Sequence, residues 1–378
     1  MIPKPQPHSY HENPRITHAT IGSPMPPLKL IYTDQYDLNL GQHIFPAVKY
    51  KLVRQALLEK KIASEADFLE PEAVQDRDVL LVHSAAYVRK LKTGTLSELE
   101  IARMEIPYSP EMIRAVWLCA GGSTLTGRQA IADGVAVNLS GGFHHAFPSH
   151  GEGFCAIHDV GIAIRKLQAA GAIGKAMTVD LDVHHGNGTA AIFARDESVY
   201  TFSMHQENNY PFEKPPGNLD VPLQDGCGDE EYLRLLRQNL QRALSEFQPD
   251  LIFYLAGADP YCEDQLGGLS LTLAGLRERD RMVFQMAREK NTPVAVTLAG
   301  GYAARVDDTV AIHVGTVQAG REALAGETKG RSLRNERGEA LCRKALVGQR
   351  SGTVCRVPKT SQTNPRETPS ARREMASD

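Results

Sequence analysis

The chain has 378 residues and a formal net charge of −3, so its length allows one large domain or two small ones. Its composition is ordinary for a globular protein with a sizeable core. The near-neutral charge argues against direct nucleic-acid binding by the core. No stretch of the sequence reaches the ~18 apolar residues that a membrane span requires, so we expect no membrane partner.

Both ends of the chain differ in composition from the middle. Residues 1–27 are rich in proline and polar residues, without the apolar segment of a secretory signal, and are predicted to be a flexible leader. Residues 327–378 have few large apolar side chains and many basic ones, which predicts a disordered basic tail. A catalytic domain is expected between them, at 28–326.

The six cysteines form neither a CxxC pair nor a dense framework. This pattern favours a reducing compartment over secretion. We therefore expect an intracellular protein, located in the cytoplasm.

Apolar runs typical of strands alternate with amphipathic helical patterns along the middle of the chain. Most of these runs are apolar nearly throughout, as in strands that are covered on both faces. Helices are predicted at 46–61, 229–247 and 271–291. The alternation predicts an α/β fold with a parallel sheet and helices on both faces. The predicted strands are 28–33, 79–83, 135–140, 176–183, 199–205, 251–259 and 293–301.

Polar residues collect where four of these strands end. The strand 135–140 leads into His144 and His145, and the strand 176–183 leads into His184. Asp259 ends a third strand, and Tyr302 follows a fourth. Because binding sites of open parallel sheets form at the carboxyl ends of strands, these residues are expected to share one site.

The stretch TVDLDVHHGNGT, at 178–189, has the pattern of a metal site. Side chains alternate along a strand, so Asp180, Asp182 and His184 are predicted to share a face. Neighbouring buried carboxylates repel each other unless a cation compensates them. Asp182, His184 and Asp259 would leave a coordination position open, as in a catalytic zinc site, and Fe²⁺ also suits these ligands. The alternative is a hydrogen-bonded polar cluster without a metal.

Two further motifs suggest acid–base chemistry near that metal. His144 and His145 follow two glycines, which allow a tight backbone approach to a ligand. The two imidazoles suit proton transfer to and from a reacting group. Tyr302, after a second Gly-Gly pair, is placed to donate a hydrogen bond to a developing oxyanion. The alternative is that these are loop residues without a chemical role.

Four motifs together resemble the zinc-dependent histone deacetylase family, in the order in which that family has them. They are NLSGGFHHAFPSHGEGFCAIHDVGIAI, TVDLDVHHGNGT, LAGADPYCEDQLGGLSLT and LAGGY. The resemblance extends from about residue 28 to about 323 and implies the arginase–deacetylase fold, with a single parallel sheet of about eight strands. QHIFPAVKY at 42–50, and Asn187 after HHG, resemble class IV and related bacterial members more than class I.

The resemblance also implies roles for individual residues. Asp182, His184 and Asp259 match the zinc ligands, and Asp180 matches the carboxylate behind His144. A structural or regulatory potassium ion is implied as well. The implied catalytic residues are His144, His145, Tyr302, Asp180 and Asn187; the potassium ligands are Asp180, Asp182, His184, Ser203 and Met204; the residues of the acyl-lysine tunnel are Gly153, Phe154, Tyr210 and Leu266.

Asn187 stands where class I members have a carboxylate behind the second histidine, His145. An amide oxygen accepts a hydrogen bond but carries no charge. The pKa of His145 is therefore predicted to be lower than an aspartate at 187 would make it. His185 is predicted to point away from the metal, and His150, His158 and His205 are interpreted as structural histidines.

The predicted activity is zinc-dependent removal of acetyl or longer acyl groups from lysine side chains of proteins or peptides. One alternative is deacetylation of small acetylated amines such as acetylpolyamines, and another is a non-catalytic scaffold that binds acyl-lysine. A dinuclear manganese ureohydrolase shares the fold, but it would need a second Asp-x-Asp pair, whereas GADP at 257–260 has one aspartate.

Overall fold

A computed structural model describes residues 28–325; the predicted leader at 1–27 and tail at 327–378 lie outside the described residues. Within this part of the chain, eight strands form one sheet in the order β2-β1-β3-β8-β7-β4-β5-β6, and each adjacent pair is parallel. The strands are β1 (Lys29–Ile31), β2 (Phe68–Leu69), β3 (Val135–Asn138), β4 (Ala176–Asp180), β5 (Val199–Gln206), β6 (Leu219–Leu223), β7 (Leu251–Leu255) and β8 (Val294–Thr297).

Helices alternate with groups of strands along the chain, and in the fold they pack around the sheet. The longest, over Pro110–Asp133, begins where the Ser109 side chain accepts from the Met112 backbone N–H, with proline at the first helical position. Residues 306–325 form the last helical stretch. The helices before that stretch are α1 (Lys49–Glu59), α2 (Asp76–Val79), α3 (Ala85–Thr93), α4 (Glu98–Met104), α5 (Pro110–Asp133), α6 (Asp159–Ala169), α7 (Asn187–Phe193), α8 (Asp229–Glu246) and α9 (Leu273–Glu289).

Along the described chain, no helix combines the length and apolar character needed to cross a membrane.

Six of the seven predicted strands and the three predicted helices are confirmed within a few residues. The strand predicted at 79–83 is wrong. Val79 ends the short helix α2, whose first turn is capped because the Asp78 carboxylate accepts from the Gln75 backbone N–H at 3.0 Å. Leu80 and Leu81 then lie in a turn and are each 45% exposed, unlike residues of a covered strand.

Alternate side chains of the strands enter two separate apolar clusters, one on each face of the sheet. Ile31, Ala136 and Phe253 lie in one cluster, together with residues of α6. Leu30 and Tyr254 lie in the other, which includes residues of α1, α8 and α9. Helices therefore cover both faces, as predicted, and polar groups are accommodated at the carboxyl edge of the sheet, where the parallel strands all end.

Candidate active site

Asp182, His184 and Asp259 lie together beyond the ends of β4 and β7. Their potential ligand atoms are all within 4.8 Å of one another, and all three residues are buried. His184 Nδ1 is 2.9 Å from Asp182 Oδ1 and 3.5 Å from Asp259 Oδ2. The structure thus brings together the three residues that the sequence suggested as metal ligands.

Backbone donors hold both oxygens of Asp182, one of them through the His184 N–H at 3.0 Å, but only one oxygen of Asp259. The Gly300 N–H donates to Asp182 Oδ2 at 2.9 Å, and the Val183 N–H donates to Asp259 Oδ1 at 2.9 Å. Asp259 Oδ2 is buried without a hydrogen-bond partner. An orphaned carboxylate oxygen beside a second carboxylate is costly to bury, so this donor set fits a divalent metal ion.

Gly300 explains the second Gly-Gly pair of the sequence. A Cβ atom at this position would collide with the carboxylate oxygens of both Asp182 and Asp259. The loop after β8 can approach the two carboxylates this closely only because the residue lacks a side chain.

The metal-free protein is expected to lose stability as pH rises. Burial and Asp182 raise the pKa of Asp259 to about 7; burial lowers the pKa of His184, but Asp182 and Asp259 outweigh it and raise that pKa to about 10. Both pKa values exceed those of the unfolded chain, ~3.9 and ~6.5. The stability from these protons is therefore complete below pH ~4 and is lost stepwise as pH rises to about 10.

Thermal unfolding of chelator-treated protein between pH 5 and 9.5 checks this expectation. The matched control is Asp259→Asn. This substitution removes the titrating carboxyl group of Asp259 and, with it, one of the two carboxylates that raise the pKa of His184. We expect Tm to fall more steeply with pH in the wild type than in the control. Parallel curves for the two proteins would contradict the assigned coupling.

His144 and His145 have different partners. The Nδ1 atom of His144 is 2.7 Å from Asp180 Oδ2, whereas the Nδ1 atom of His145 is 2.7 Å from Asn187 Oδ1. The two rings lie 4.0 Å apart between centroids, and both are buried. One histidine is therefore backed by a charge and the other by a neutral amide.

The pKa values of the two rings are shifted in opposite directions. Burial lowers the pKa of His144, but the Asp180 and Asp182 carboxylates outweigh it and raise the pKa to about 9. Burial and the charges of His144 and His184 hold the pKa of His145 well below its usual value. In the metal-free protein at neutral pH, His144 therefore favours the protonated form and His145 the neutral one.

Tyr302 lies near the candidate metal ligand His184, and a hydrogen bond holds its backbone in place. Its N–H donates to Asp264 Oδ2 at 2.6 Å, and its ring centroid is 6.4 Å from that of His184. Burial, and then the charges of Asp182 and Asp259, raise the pKa of Tyr302 well above its usual value. The phenol therefore keeps its proton and remains a hydrogen-bond donor.

A cavity of about 170 Å³ leads to these residues. Gly153, Phe154, Tyr210 and Leu266, the residues predicted for the tunnel, all line it, and so does Phe45, which the sequence did not suggest. The Gly153 backbone has a φ of 51°, and a Cβ there would lie 2.8 Å from both the His145 and Tyr210 rings. Glycine at 153 therefore lets the cavity wall approach His145.

The residues implied as potassium ligands come from neighbouring strands. Asp180 at the end of β4 is in register with Ser203 on β5, and Met204 follows Ser203 in β5. Asp182 and His184 continue from β4 toward the candidate metal site. The hydroxyl of Ser203 is 2.9 Å from His205 Nδ1. Whether potassium binds here stays a prediction.

His185 forms a separate cluster with His205 and Asp220. Its Nε2 is 3.3 Å from Asp220 Oδ1, and its ring centroid is 4.6 Å from that of His205. The potential ligand atoms of these three residues also lie within 4.8 Å of one another. The contact with Asp220 gives His185 a partner away from Asp182.

Two other histidines have defined hydrogen-bond or stacking partners. His158 accepts from the Gly161 N–H at 2.9 Å and so caps α6, and its Nε2 is 2.8 Å from Thr189 Oγ1. His150 stacks on Phe147, with ring centroids 4.6 Å apart. These contacts are of the structural kind that the sequence interpretation expected.

Lys49 is a site residue that the sequence reasoning missed. It is fully buried, its ammonium donates to the Ala299 carbonyl at 2.7 Å, and it lies 5.7 Å from the Tyr302 ring centroid. Burial lowers its pKa to about 8, against the opposing effect of Asp259. The sequence does indicate that this lysine is buried. Lys49, Val53 and Leu57 are spaced four residues apart, which places Lys49 on the buried face of α1.

Two acidic residues of the site were also missed. Asp264 accepts from the N–H groups of Tyr302, Leu266 and Gly267 at distances of 2.6–3.1 Å. Glu152 accepts from the Asn187 side chain at 2.7 Å. The contacts of Asp264 with Tyr302 and of Glu152 with Asn187 join residues that are more than 30 positions apart, and local sequence patterns carry no signal of such contacts.

Residues 43–317 match the model of the histone deacetylase domain. The chain belongs to the histone deacetylase family. Histone deacetylase 2 of Arabidopsis thaliana is 32% identical to this family member over 292 residues, which cover 74% of this chain and 76% of that protein. An uncharacterized protein of Picosynechococcus sp. is 39% identical over 272 residues, which cover 72% of this chain and 91% of that protein.

The fold of the solved relatives agrees with this membership. An HDAC homologue crystallised in complex with SAHA has a TM-score of 0.66 and 25% identity, and the match covers 79% of this chain and 84% of that one. The predicted family and the predicted arginase–deacetylase fold are confirmed. Membership in the histone deacetylase family indicates a hydrolase of the deacetylase type, while the likeness to class IV stays a prediction.

Proposed function

We propose that this histone deacetylase family member hydrolyses the amide bond of acyl-lysine side chains in proteins or peptides, with acetyl-lysine as the principal substrate and longer acyl groups as variants. The observation that supports it most is the convergence of Asp182, His184, two histidines of opposite proton affinity and Tyr302 at the end of one apolar cavity.

We propose zinc as the resident ion, held by Asp182, His184 and Asp259, with Fe²⁺ as the alternative that these ligands also accommodate. When bound, a divalent ion polarises the acyl carbonyl and lowers the pKa of water to ~7. We also propose a potassium ion at Asp180, Asp182, His184, Ser203 and Met204, and an intracellular location, which the free thiols of the four described cysteines support.

His145 is the proposed general base. Its Nδ1–H donates to Asn187 Oδ1, which leaves the lone pair of Nε2 free, and its lowered pKa keeps that nitrogen unprotonated. As the water oxygen bonds to the acyl carbon, Nε2 takes a proton from it. When the C–N bond breaks, the same nitrogen gives this proton to the departing amine, and the products are a carboxylic acid and free lysine.

His144 and Tyr302 act on the charge that develops on the acyl oxygen. His144 stays protonated between Asp180 and Asp182, with its Nε2 3.8 Å from Asp182 Oδ1. The phenol of Tyr302 donates a hydrogen bond to the oxyanion. Phe154 and Tyr210 provide aromatic walls for the apolar lysine stem, and these walls keep bulk water away from the reacting atoms.

Asn187→Asp is expected to move the acid limb of the kcat/KM profile to higher pH. A carboxylate facing His145 Nδ1 would raise the pKa of that ring by about one unit or more, so the base becomes protonated, and activity is lost, at higher pH than in the wild type. The measurement is a pH–rate profile on an acetyl-lysine peptide. Glu152→Gln combined with Asn187→Asp controls for repulsion between the two carboxylates, and an unmoved acid limb in both proteins would count against His145 as the base.

A substrate panel, with metal content measured on the same sample, tests the proposed function. The panel compares acetyl-lysine peptides, longer acyl-lysine peptides and acetylpolyamines by kcat/KM. We expect metal-dependent turnover with acetyl-lysine peptides favoured. No metal-dependent turnover of any of the three classes would overturn the proposal and favour a non-catalytic scaffold that binds acyl-lysine.

Hydrolysis of small acetylated amines is the second candidate. The Glu105 carboxylate lines the same cavity, where an additional ammonium group of an acetylpolyamine would find an opposite charge. Burial and Glu152 raise the pKa of Glu105, so a cation bound nearby would favour its charged form. A kcat/KM for acetylpolyamines above that for acetyl-lysine peptides would favour this candidate.

A further inference from the structure

The side chain of Asn187 lies between His145 and the carboxylate of Glu152. Its Oδ1 is 2.7 Å from His145 Nδ1, and its Nδ2 donates to Glu152 Oε1 at 2.7 Å. Asn187 is buried, and the side chain of Glu152 is only 13% exposed. Both ends of the amide are therefore occupied by hydrogen-bonding groups.

This arrangement specifies which end of the amide faces His145. An amide has a donor end and an acceptor end, whereas an ionised carboxylate only accepts. Glu152 therefore requires the NH₂ end of Asn187, and the oxygen is turned toward His145. The Gly188 N–H, which donates to Asn187 Oδ1 at 3.0 Å, favours the same orientation.

The orientation of the amide in turn specifies the tautomer of His145. An oxygen facing Nδ1 requires the imidazole proton on Nδ1 and leaves the lone pair on Nε2. With the amide reversed, its NH₂ would donate to Nδ1, and a neutral imidazole would carry its proton on Nε2. In that state His145 could not accept a proton from water at Nε2.

Glu152 is itself held in place from both sides. Its backbone N–H donates to the Cys155 carbonyl at 3.0 Å, and the Cys155 N–H donates back at 2.9 Å, which closes a tight turn. Its Oε2 accepts from Arg103 Nε at 3.1 Å and lies 3.3 Å from His150 Nε2. The second oxygen of the carboxylate thus has partners of its own, and the first oxygen accepts from Asn187.

We propose that Glu152 is a positioning residue that orients Asn187 and thereby holds His145 in the tautomer that a general base requires. The inference rests on the proposed role of His145. Class I members are expected to have a carboxylate where this chain has Asn187. Here that position holds an amide, and the carboxylate of Glu152 is hydrogen-bonded to the side of the amide opposite His145.

Nitrogen NMR of protein labelled at its histidines tests the orientation without any turnover. Spectra of the metal-free protein are recorded at pH 8, and His145→Ala identifies the signals of His145. We expect a single neutral tautomer protonated at Nδ1 in the wild type and in Glu152→Gln, whose amide oxygen can still accept from Asn187. In Glu152→Ala a mixture of the two tautomers is expected; an unchanged single tautomer would overturn the proposal.

A double-mutant cycle distinguishes a positioning role of the Glu152 side chain from a role in supporting the turn between Glu152 and Cys155. With Asn187 present, Glu152→Ala is expected to lower kcat about three- to tenfold with KM little changed, and Glu152→Gln to stay within about twofold. With Asn187→Asp present, the carboxylate at 187 accepts from His145 in either orientation. There Glu152→Ala is expected to leave kcat unchanged or to raise it, because it removes a facing carboxylate.

The outcomes distinguish this inference from the proposed function. The same loss from Glu152→Ala in both backgrounds, or a loss in Glu152→Gln equal to that in Glu152→Ala, would overturn the positioning role while the wild-type activity stands. If the wild type turns over none of the acyl substrates, the proposed function fails, and the tautomer spectra still decide whether Glu152 orients Asn187.

Discussion

Tyr302→Phe is expected to lower kcat by about 10²- to 10³-fold while KM and metal content change little, which is the range seen when one donor to an oxyanion is removed. The phenol stays protonated because burial and the nearby Asp182 and Asp259 carboxylates raise its pKa. The ring can remain in its packing position, because Asp264 holds the backbone N–H of residue 302 and not the hydroxyl.

Steady-state kinetics on an acetyl-lysine peptide, together with metal analysis, measures this effect. Tyr50→Phe is the matched control, because it also removes a buried phenol near Lys49 but does not line the cavity. We expect the control to retain its kcat. If Tyr302→Phe kept wild-type kcat, the hydroxyl would have no part in stabilising the oxyanion, and its proposed role would be wrong.

His145→Ala is expected to lower kcat by about 10²- to 10⁴-fold, the usual contribution of a general base. His144→Ala should cost less, because His144 stabilises charge without transferring the proton. The activity of the wild type requires a neutral His145 and a protonated His144. Its profile should therefore have an acid limb set by His145, whose pKa is lowered, and an alkaline limb set by His144, whose pKa is raised.

Asp180→Asn tests the alkaline limb independently. Removing this carboxylate lowers the pKa of His144, so the alkaline limb should move to lower pH while the acid limb stays. The measurement is kcat/KM between pH 5 and 10 on one peptide. Equal losses in His144→Ala and His145→Ala, with an alkaline limb unmoved in Asp180→Asn, would contradict the assigned division of labour.

The sheet was largely predictable because its central strands are apolar nearly throughout, as strands covered on both faces are. Strand β6 was missed for the opposite reason. It lies at the edge of the sheet, alternates buried and less buried residues, and contains Pro222, which is tolerated on an edge strand but argues against a central one. The run at 79–83 misled because its apolar character was overridden by the cap of α2.

The candidate site was predictable where its residues follow strand ends. Parallel strands bring their carboxyl ends to one edge, so the sequence alone is enough to group Asp182, Asp259 and Tyr302. Lys49 and Glu152 could not be grouped in this way. Lys49 reaches the site from α1, and Glu152 from a turn, so only tertiary packing brings them there.

Restoring metal to the chelated protein tests the central claim most directly. Zn²⁺ is titrated into metal-free wild type and metal-free Asp259→Asn, and bound metal and acetyl-lysine turnover are measured on the same samples. We predict that wild-type activity rises in proportion to bound metal and saturates as the site formed by Asp182, His184 and Asp259 fills, while the variant neither binds tightly nor recovers. Full turnover by the metal-free wild type, or equal recovery in Asp259→Asn, would contradict the account.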